Sequence, residues 1–211
     1  MSSRNLVSGI KDIVAWMSGK EGEDYKAGYM FTYLMSKFGD DENVAKSFAL
    51  RLLIHYMGDL VQPLHCENRY NSEFTAGDKG GNDFPLKYHY DVDELHALWD
   101  KIMYDGYHNI ARPFTTDTWD EFQPQVTDAM TNYPPKSSSL WESTDYDTFS
   151  QGSYDIAVKV YSGLTPDAAV PQAYLDEYKP IAYQQINLGG YRLYYAINYI
   201  FGDVDASQFD R

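Results

Sequence analysis

Apolar side chains recur at helical spacing along most of this chain, and no other feature restricts its fold as strongly. The pattern is clearest in the first helix, where the apolar positions are Leu6, Val7, Ile10, Ile13, Val14 and Met17. Similar spacing predicts further helices over residues 25–38, 41–62, 92–103, 117–132, 146–162 and 171–200. Asp40 or Asp41 is the expected N-cap of the third helix, and Pro180 is expected to kink the last one. The chain is therefore predicted to be all-α.

The interval between the third and fourth helices differs from the rest. Three glycines among polar neighbours make residues 66–90 typical of a loop, with a short extended piece inside Phe84–Tyr90. No linker or internal repeat divides the 211 residues, and the 44% apolar and 16% aromatic content excludes a disordered chain. We expect one multi-helix domain spanning residues 1–211 with one long loop.

The strongly acidic composition limits the ligands that the surface can attract. Lys and Arg number 17 against 31 Asp and Glu, which gives a net charge of −14. Such a surface repels phosphate backbones and anionic lipid, so the composition disfavours binding of nucleic acid through a basic patch. Bound metal cations can still attract phosphate locally. No apolar run approaches the ~20 residues that a membrane-spanning helix needs.

Histidine and aspartate form two pairs at helical spacing. His55 and Asp59 are four residues apart, so both project from one face of the third helix. His96 and Asp100 repeat the arrangement on the fourth helix, and His65 lies in the turn between them. The first pair belongs to a stripe that is predicted to point inward, formed by Val44, Phe48, Leu52, His55, Tyr56 and Asp59.

Imidazole and carboxylate groups in this number are typical of a zinc site. Zinc takes such ligands, usually four in all, and a catalytic site leaves one position to water. His65, His96 and Asp100 make a three-ligand set with an open fourth position. His55 and Asp59 make half of a second set, and the Asp59 carboxylate could bridge two metals. Hydrogen-bonded His/Asp pairs in a core are the alternative, and spacing alone does not separate the two hypotheses.

The order of these motifs resembles a known family. The segment from His55 to His65, ending in Gln-Pro-Leu-His, is followed by Gly80-Gly81-Asn82 and then by the segment from Leu95 to Asp100. This pattern resembles the single-strand-specific zinc nucleases, namely the fungal S-one/P-one type enzymes and the plant bifunctional nucleases, which are distantly related to bacterial zinc-dependent phospholipase C. Residues 5–10 and 189–193 agree with the resemblance, which covers nearly the whole chain.

The resemblance implies a helical fold of the zinc phospholipase C/nuclease type with three zinc ions in a cleft. It implies cleavage of single-stranded DNA and RNA to 5′-nucleotides and removal of 3′-phosphates. Asp59, bridging two zinc ions, and Asn82, close to the phosphate, would be the catalytic residues. The metal ligands carried over by the motif would be His55, Asp59, His65, His96 and Asp100.

The family takes further ligands from an upstream portion: an N-terminal Trp, two His and an Asp. Here residue 1 is Met and no His precedes His55, so we expect the C-terminal two-thirds of a nuclease domain. Three interpretations stay open. The remaining ligands come from a longer or a second chain, or other carboxylates replace them, or the protein is a non-catalytic structural or interaction subunit with at most one zinc. A phospholipase C-like phosphoesterase is a further candidate function.

Cys66, the one cysteine, either pairs with a cysteine on the upstream portion that the family implies or is a free thiol. The carboxylates of Asp78, Asp83, Asp91 and Asp93 are expected to form a solvated acidic loop rather than to support the zinc histidines. Localisation stays open, because residues 1–20 lack the pattern of a secretory signal whereas the family is mostly secreted or vacuolar.

Overall fold

The computed structural model describes residues 4–20, 22, 24–106 and 113–202. These residues form a helical protein with one small sheet, which confirms the predicted all-α class. The α-helices are α1 (Leu6–Ser18), α2 (Tyr29–Lys37), α3 (Glu42–Asp59), α4 (Leu95–Asp100), α5 (Thr116–Asn132), α6 (Tyr146–Ala157) and α7 (Gln172–Phe201). Short 3-10 helices cover Asp24–Ala27, Pro63–Cys66 and Ser138–Leu140, and β1 (Pro85–His89) pairs with β2 (Val92–Glu94) in antiparallel fashion.

The N-terminal helices pack around the first of two apolar clusters. α1 begins at a capping box in which the Asn5 side chain accepts from the Ser8 amide, and Asp41 caps α3 by accepting from the next two amides after Glu42. Ile13 of α1 and Leu53 of α3 are fully buried in this cluster, which α2, α6 and the C-terminal part of α7 complete. The expected N-cap at Asp41 is confirmed.

The second apolar cluster lies under the hairpin and α4. Leu95 and Leu98 of α4 are fully buried there, next to Tyr174 and Tyr178 from the N-terminal half of α7. The Tyr174 hydroxyl accepts from the Trp99 indole and donates to the Val160 carbonyl, so its polar atom is satisfied inside the core. α7 contributes to both clusters and thereby joins the two halves of the described structure.

The chain crosses from one cluster to the other just after α3. Leu60 is buried in the first cluster and Leu64 in the second, so the intervening residues are held at both ends. The Ser153 hydroxyl donates to the Leu60 carbonyl at 2.6 Å, and the Gln185 amide donates to the Val61 carbonyl at 2.9 Å. These buried donors satisfy the carbonyls of the two residues that follow α3, and they fix the segment that leads into the Gln-Pro-Leu-His turn.

The inward face predicted for α3 is wrong. The fully buried positions are Ala45, Ala49 and Leu53, each four residues apart, whereas Val44 and Phe48 are 47% and 39% exposed. Small alanines let α3 approach α1 closely, and they carry less hydrophobic weight in a sequence pattern than the larger side chains beside them. His55 therefore points away from the core rather than into it.

The start of the fourth helix also differs from expectation. The helix predicted over 92–103 is shorter, because residues 92–94 form β2 and pair with β1 through Pro85↔Glu94 and His89↔Val92. Tyr90 and Asp91 form the two-residue turn, both with positive φ, as tight hairpins require. α7 continues through Pro180 as one helix, and the kink expected there stays a prediction. None of the helices in the described part of the chain is long and apolar enough to span a bilayer.

Candidate metal centre

His65 and His96 meet although 31 residues separate them. His65 lies on the 3-10 helix that begins at Pro63, where Gln62 caps the turn by accepting from the Leu64 amide at 2.7 Å. His96 lies in the first turn of α4. The two Nε2 atoms are 3.1 Å apart, and the rings stack with centroids 4.9 Å apart and an interplanar angle of 19°. The turn and the helix thus present both imidazoles to one point.

A backbone hydrogen bond fixes the tautomer of His96. Its Nδ1 lies 2.7 Å from the Gly80 carbonyl oxygen, which can only accept, so Nδ1 carries the proton. Nε2 of the neutral ring is then an acceptor that points at His65 Nε2. Two ligand nitrogens of a tetrahedral zinc ion lie about 3.4 Å apart, given Zn–N bonds of about 2.0–2.1 Å. The observed 3.1 Å is close to that separation.

Asp100 completes a group of three. One ligand atom each from His65, His96 and Asp100 lie within 4.8 Å of one another. The Gln62 amide donates to Asp100 Oδ1 at 3.0 Å, and Oδ2 lies 3.7 Å from His96 Nε2. Gln62 therefore orients the carboxylate while one oxygen stays available. Nitrogen and oxygen donors with this spacing could hold a metal ion, and the structure brings together the three residues that the sequence analysis grouped. Their role as zinc ligands stays a prediction.

His55 and Asp59 lie beside this group rather than inside it. Asp59 Oδ1 is 3.6 Å from His65 Nδ1, and its Oδ2 is 3.4 Å from His55 Nε2. The His55 side chain is 70% exposed, so it borders solvent. Burial lowers the pKa of His65, and the nearby Asp59 carboxylate opposes that shift only in part. A neutral imidazole at this position is the form that a metal ion binds.

Among the described residues, the Asn82 side chain has no hydrogen bond to His65 or His96. Its side-chain amide donates to the Lys79 carbonyl at 2.8 Å and closes the Gly-Gly-Asn turn, while the residue itself is exposed. Its assignment as a catalytic residue stays a prediction. The expectation of a solvated acidic loop is wrong for Asp78, which is fully buried and accepts three hydrogen bonds. Gln62 and Gly80 belonged to the motifs, but only the structure gives them these roles.

Cys66 lies next to His65 but is not part of the metal group. Its Sγ is 3.8 Å from the Ser150 hydroxyl, and the residue is only partly exposed. Burial raises the pKa of the Cys66 thiol, and the hydrogen bond to Ser150 opposes that shift. The group of three possible metal ligands, His65, His96 and Asp100, offers nitrogen and oxygen donors.

Comparison with known proteins shows which proteins this chain is similar to. The family model described as S1/P1 Nuclease matches residues 24–202. Endonuclease 5 of Arabidopsis thaliana is 28% identical over 187 residues, which cover 82% of this chain and 60% of that protein. Nuclease S1 of Aspergillus oryzae is 27% identical over 160 residues, covering 69% of this chain and 51% of the relative.

The match reaches from the residues just before α2 to the end of α7. It therefore includes the turn that carries His65 and the helix that carries His96 and Asp100. The chain spans about 60% of the length of the Arabidopsis relative and about half of the fungal one. With this match over most of its residues, the chain belongs to the S1/P1 nuclease family.

Proposed function

We propose that this protein is a zinc-dependent phosphodiesterase that hydrolyses single-stranded DNA and RNA to 5′-nucleotides and removes 3′-phosphates. The observation that carries the proposal is the convergence of His65 Nε2 and His96 Nε2 at 3.1 Å, with Asp100 beside them. Its support from comparison is family membership, and relatives named as endonucleases and as a nuclease.

Different residues of the chain would bind the metal and orient its ligands. His65, His96 and Asp100 would hold one zinc, with Gln62 keeping the carboxylate in place. Asp59 stands between His55 and His65, where its two oxygens face different ligands and suit a bridging role. When bound, zinc lowers the pKa of a coordinated water and stabilises charge on phosphate oxygens.

The acidic surface is consistent with phosphate binding that does not depend on lysine side chains. With a net charge of −14, the chain would hold a phosphodiester only where cations offset its own field. Preference for single strands would come from unpaired bases stacking on aromatic side chains, which a duplex does not offer. Tyr88 and Tyr90, 64% and 50% exposed on the hairpin that leads into α4, are suitable platforms.

The alternative is a non-catalytic family member with at most one zinc. It is favoured by the group of possible metal ligands among the described residues, which holds only His65, His96 and Asp100, while His55 lies outside it with a side chain that is 70% exposed. Supply of the missing ligands by a second chain gains no support from the comparisons. The two functions differ in zinc content and in nucleotide release.

The test is elemental analysis of the purified protein together with release of nucleotides from denatured and duplex DNA and of phosphate from 3′-nucleotides. We expect bound zinc, release from denatured DNA, and loss of both in His96→Ala. His89→Ala is the matched control, because His89 ends β1 and lies outside the group of three. Zinc without any release would contradict the proposed activity and support the alternative, and absence of zinc would contradict both the proposed activity and the metal site at His65, His96 and Asp100.

A further inference from the structure

Asp78 is a fully buried carboxylate in the loop between His65 and β1. Its Oδ1 accepts from the Arg69 amide at 2.9 Å and from the Gly80 amide at 3.1 Å. Its Oδ2 accepts from the Tyr161 hydroxyl at 2.5 Å. Buried carboxylates are costly unless their oxygens are paired, and here the three donors come from both ends of the loop and from the segment after α6.

The backbone of Gly80 links this carboxylate to His96. The Gly80 amide donates to Asp78, and the Gly80 carbonyl on the other side of the same residue accepts from His96 Nδ1 at 2.7 Å. Gly80 has φ of +65°, and a Cβ at this position would lie 2.2 Å from the Leu64 carbonyl oxygen. The backbone thus passes tightly against the turn that carries His65, and a small displacement of Gly80 would move its carbonyl off the imidazole.

The neighbouring aspartate has no such connection. Asp83 is exposed and forms an ion pair with Lys79 at 2.9 Å. Its side chain has no hydrogen bond to the Gly80 backbone. Two acidic residues of the same loop therefore differ in burial and in the groups to which they bind. This difference separates a specific effect of Asp78 from a general effect of negative charge near the site.

We propose that Asp78 is a positioning residue for metal binding, which acts through the Gly80 backbone to keep His96 in the Nδ1–H tautomer with Nε2 directed at His65. The inference rests on the proposed function only in taking His96 as a metal ligand. What the position requires is an oxygen acceptor at Oδ1, because both backbone amides bind that atom. The negative charge itself is secondary.

The experiment compares Asp78→Asn and Asp78→Ala, with Asp83→Ala as the matched control. Asn keeps the Oδ1 acceptor and should bind zinc within about threefold of the wild type, whereas Ala should lose about tenfold or more, in the range measured when groups that orient metal ligands are removed. Zinc affinity is measured by competition with a chelator on protein whose far-UV circular dichroism is native. If the Ala variant does not fold, Asp78→Ser, which keeps one weaker acceptor, takes its place with an expected loss of at least about threefold.

A second readout follows the imidazole directly. Long-range ¹H–¹⁵N spectra of the metal-free protein, at a pH where histidine is neutral, report the tautomer of His96. We expect the Nδ1–H form in the wild type, in Asp78→Asn and in Asp83→Ala, and a mixture of tautomers in Asp78→Ala or its Ser replacement. A folded Ala or Ser variant with wild-type zinc affinity and an unchanged tautomer would overturn the proposal.

Equal losses in the Asn and Ala variants would also overturn it, because the charge and not the acceptor would then be responsible. The outcomes stay separate from those of the proposed function. A wild-type protein that binds zinc but releases no nucleotides would leave the role of Asp78 intact. A wild-type protein that binds no zinc would contradict the metal site, while the tautomer of His96 would still report on Asp78.

Discussion

Single hydrogen bonds orient the side chains of the candidate centre. Gln62 uses both ends of its amide: the oxygen accepts from the Leu64 amide at 2.7 Å, and the nitrogen donates to Asp100 Oδ1 at 3.0 Å. The first bond shapes the turn before His65, and the second orients the carboxylate. One side chain thereby relates the positions of two ligands that lie on different elements.

Gln62→Leu should weaken zinc binding by about tenfold, because Asp100, half exposed, is then free to rotate away from the imidazoles. Isothermal titration with zinc measures the change. The matched control is Gln172→Leu, which removes a similar Gln–Asp bond of 2.8 Å to Asp176 on the surface of α7. Equal affinities in both variants and the wild type would mean that Gln62 does not orient Asp100.

The candidate metal ligands could be predicted from the sequence, whereas the hydrogen bonds that orient them could not. His96 and Asp100 are neighbours on a helix, and His65 closes a recognisable turn, so local spacing carries the signal. The bond from Tyr161 to Asp78 joins residues 83 positions apart and exists only because the segment after α6 packs against the loop. Nothing in the acidic composition of the loop distinguishes Asp78 from Asp83.

At the scale of the elements, α3 shows how burial selects between two apolar faces. Leu53 is fully buried against α1, while its neighbour Ile54 is 47% exposed. Both faces of the helix carry large apolar residues, so periodicity alone favours the wrong one. Helix positions were predictable because their caps and 3.6-residue repeats are local. β2 was not, because its three residues carry no alternation of their own and depend on pairing with β1.

The neighbouring pair on α3 gives a direct test of the observed orientation. Leu53→Ala should lower the free energy of unfolding by about 2–5 kcal/mol, because it removes core contacts and leaves a cavity. Ile54→Ala should cost less than about 1 kcal/mol, as is usual for exposed positions. Urea denaturation of the metal-free protein measures both. A larger loss for Ile54 than for Leu53 would contradict the packing of α3.

For the molecule as a whole, the candidate centre lies where two apolar clusters meet. His65 follows the segment that runs from Leu60 in the first cluster to Leu64 in the second, and His96 and Asp100 belong to α4 in the second. A metal ion held by all three would tie the crossing segment to α4. The prediction of one domain over residues 1–211 stays a prediction, although α7 joins both clusters.

Metal binding should therefore stabilise the whole fold. At zinc concentrations about 100 times Kd, the free energy of unfolding should rise by about 2.7 kcal/mol, which corresponds to roughly 5–11 °C in Tm for a chain of this size. Thermal unfolding followed by circular dichroism, with and without a chelator, measures the shift. His96→Ala should remove it and His89→Ala should keep it. An unchanged Tm at saturating zinc would mean that the ion does not link these elements.

The central claim is that His65, His96 and Asp100 hold one zinc ion through nitrogen and oxygen atoms. X-ray absorption at the zinc edge of protein loaded with one equivalent of zinc tests it most directly. We predict a first shell of nitrogen and oxygen only, with the multiple-scattering signature of two imidazoles that falls to one in His96→Ala. A sulfur neighbour at about 2.3 Å, or a spectrum that His96→Ala leaves unchanged, would contradict the account.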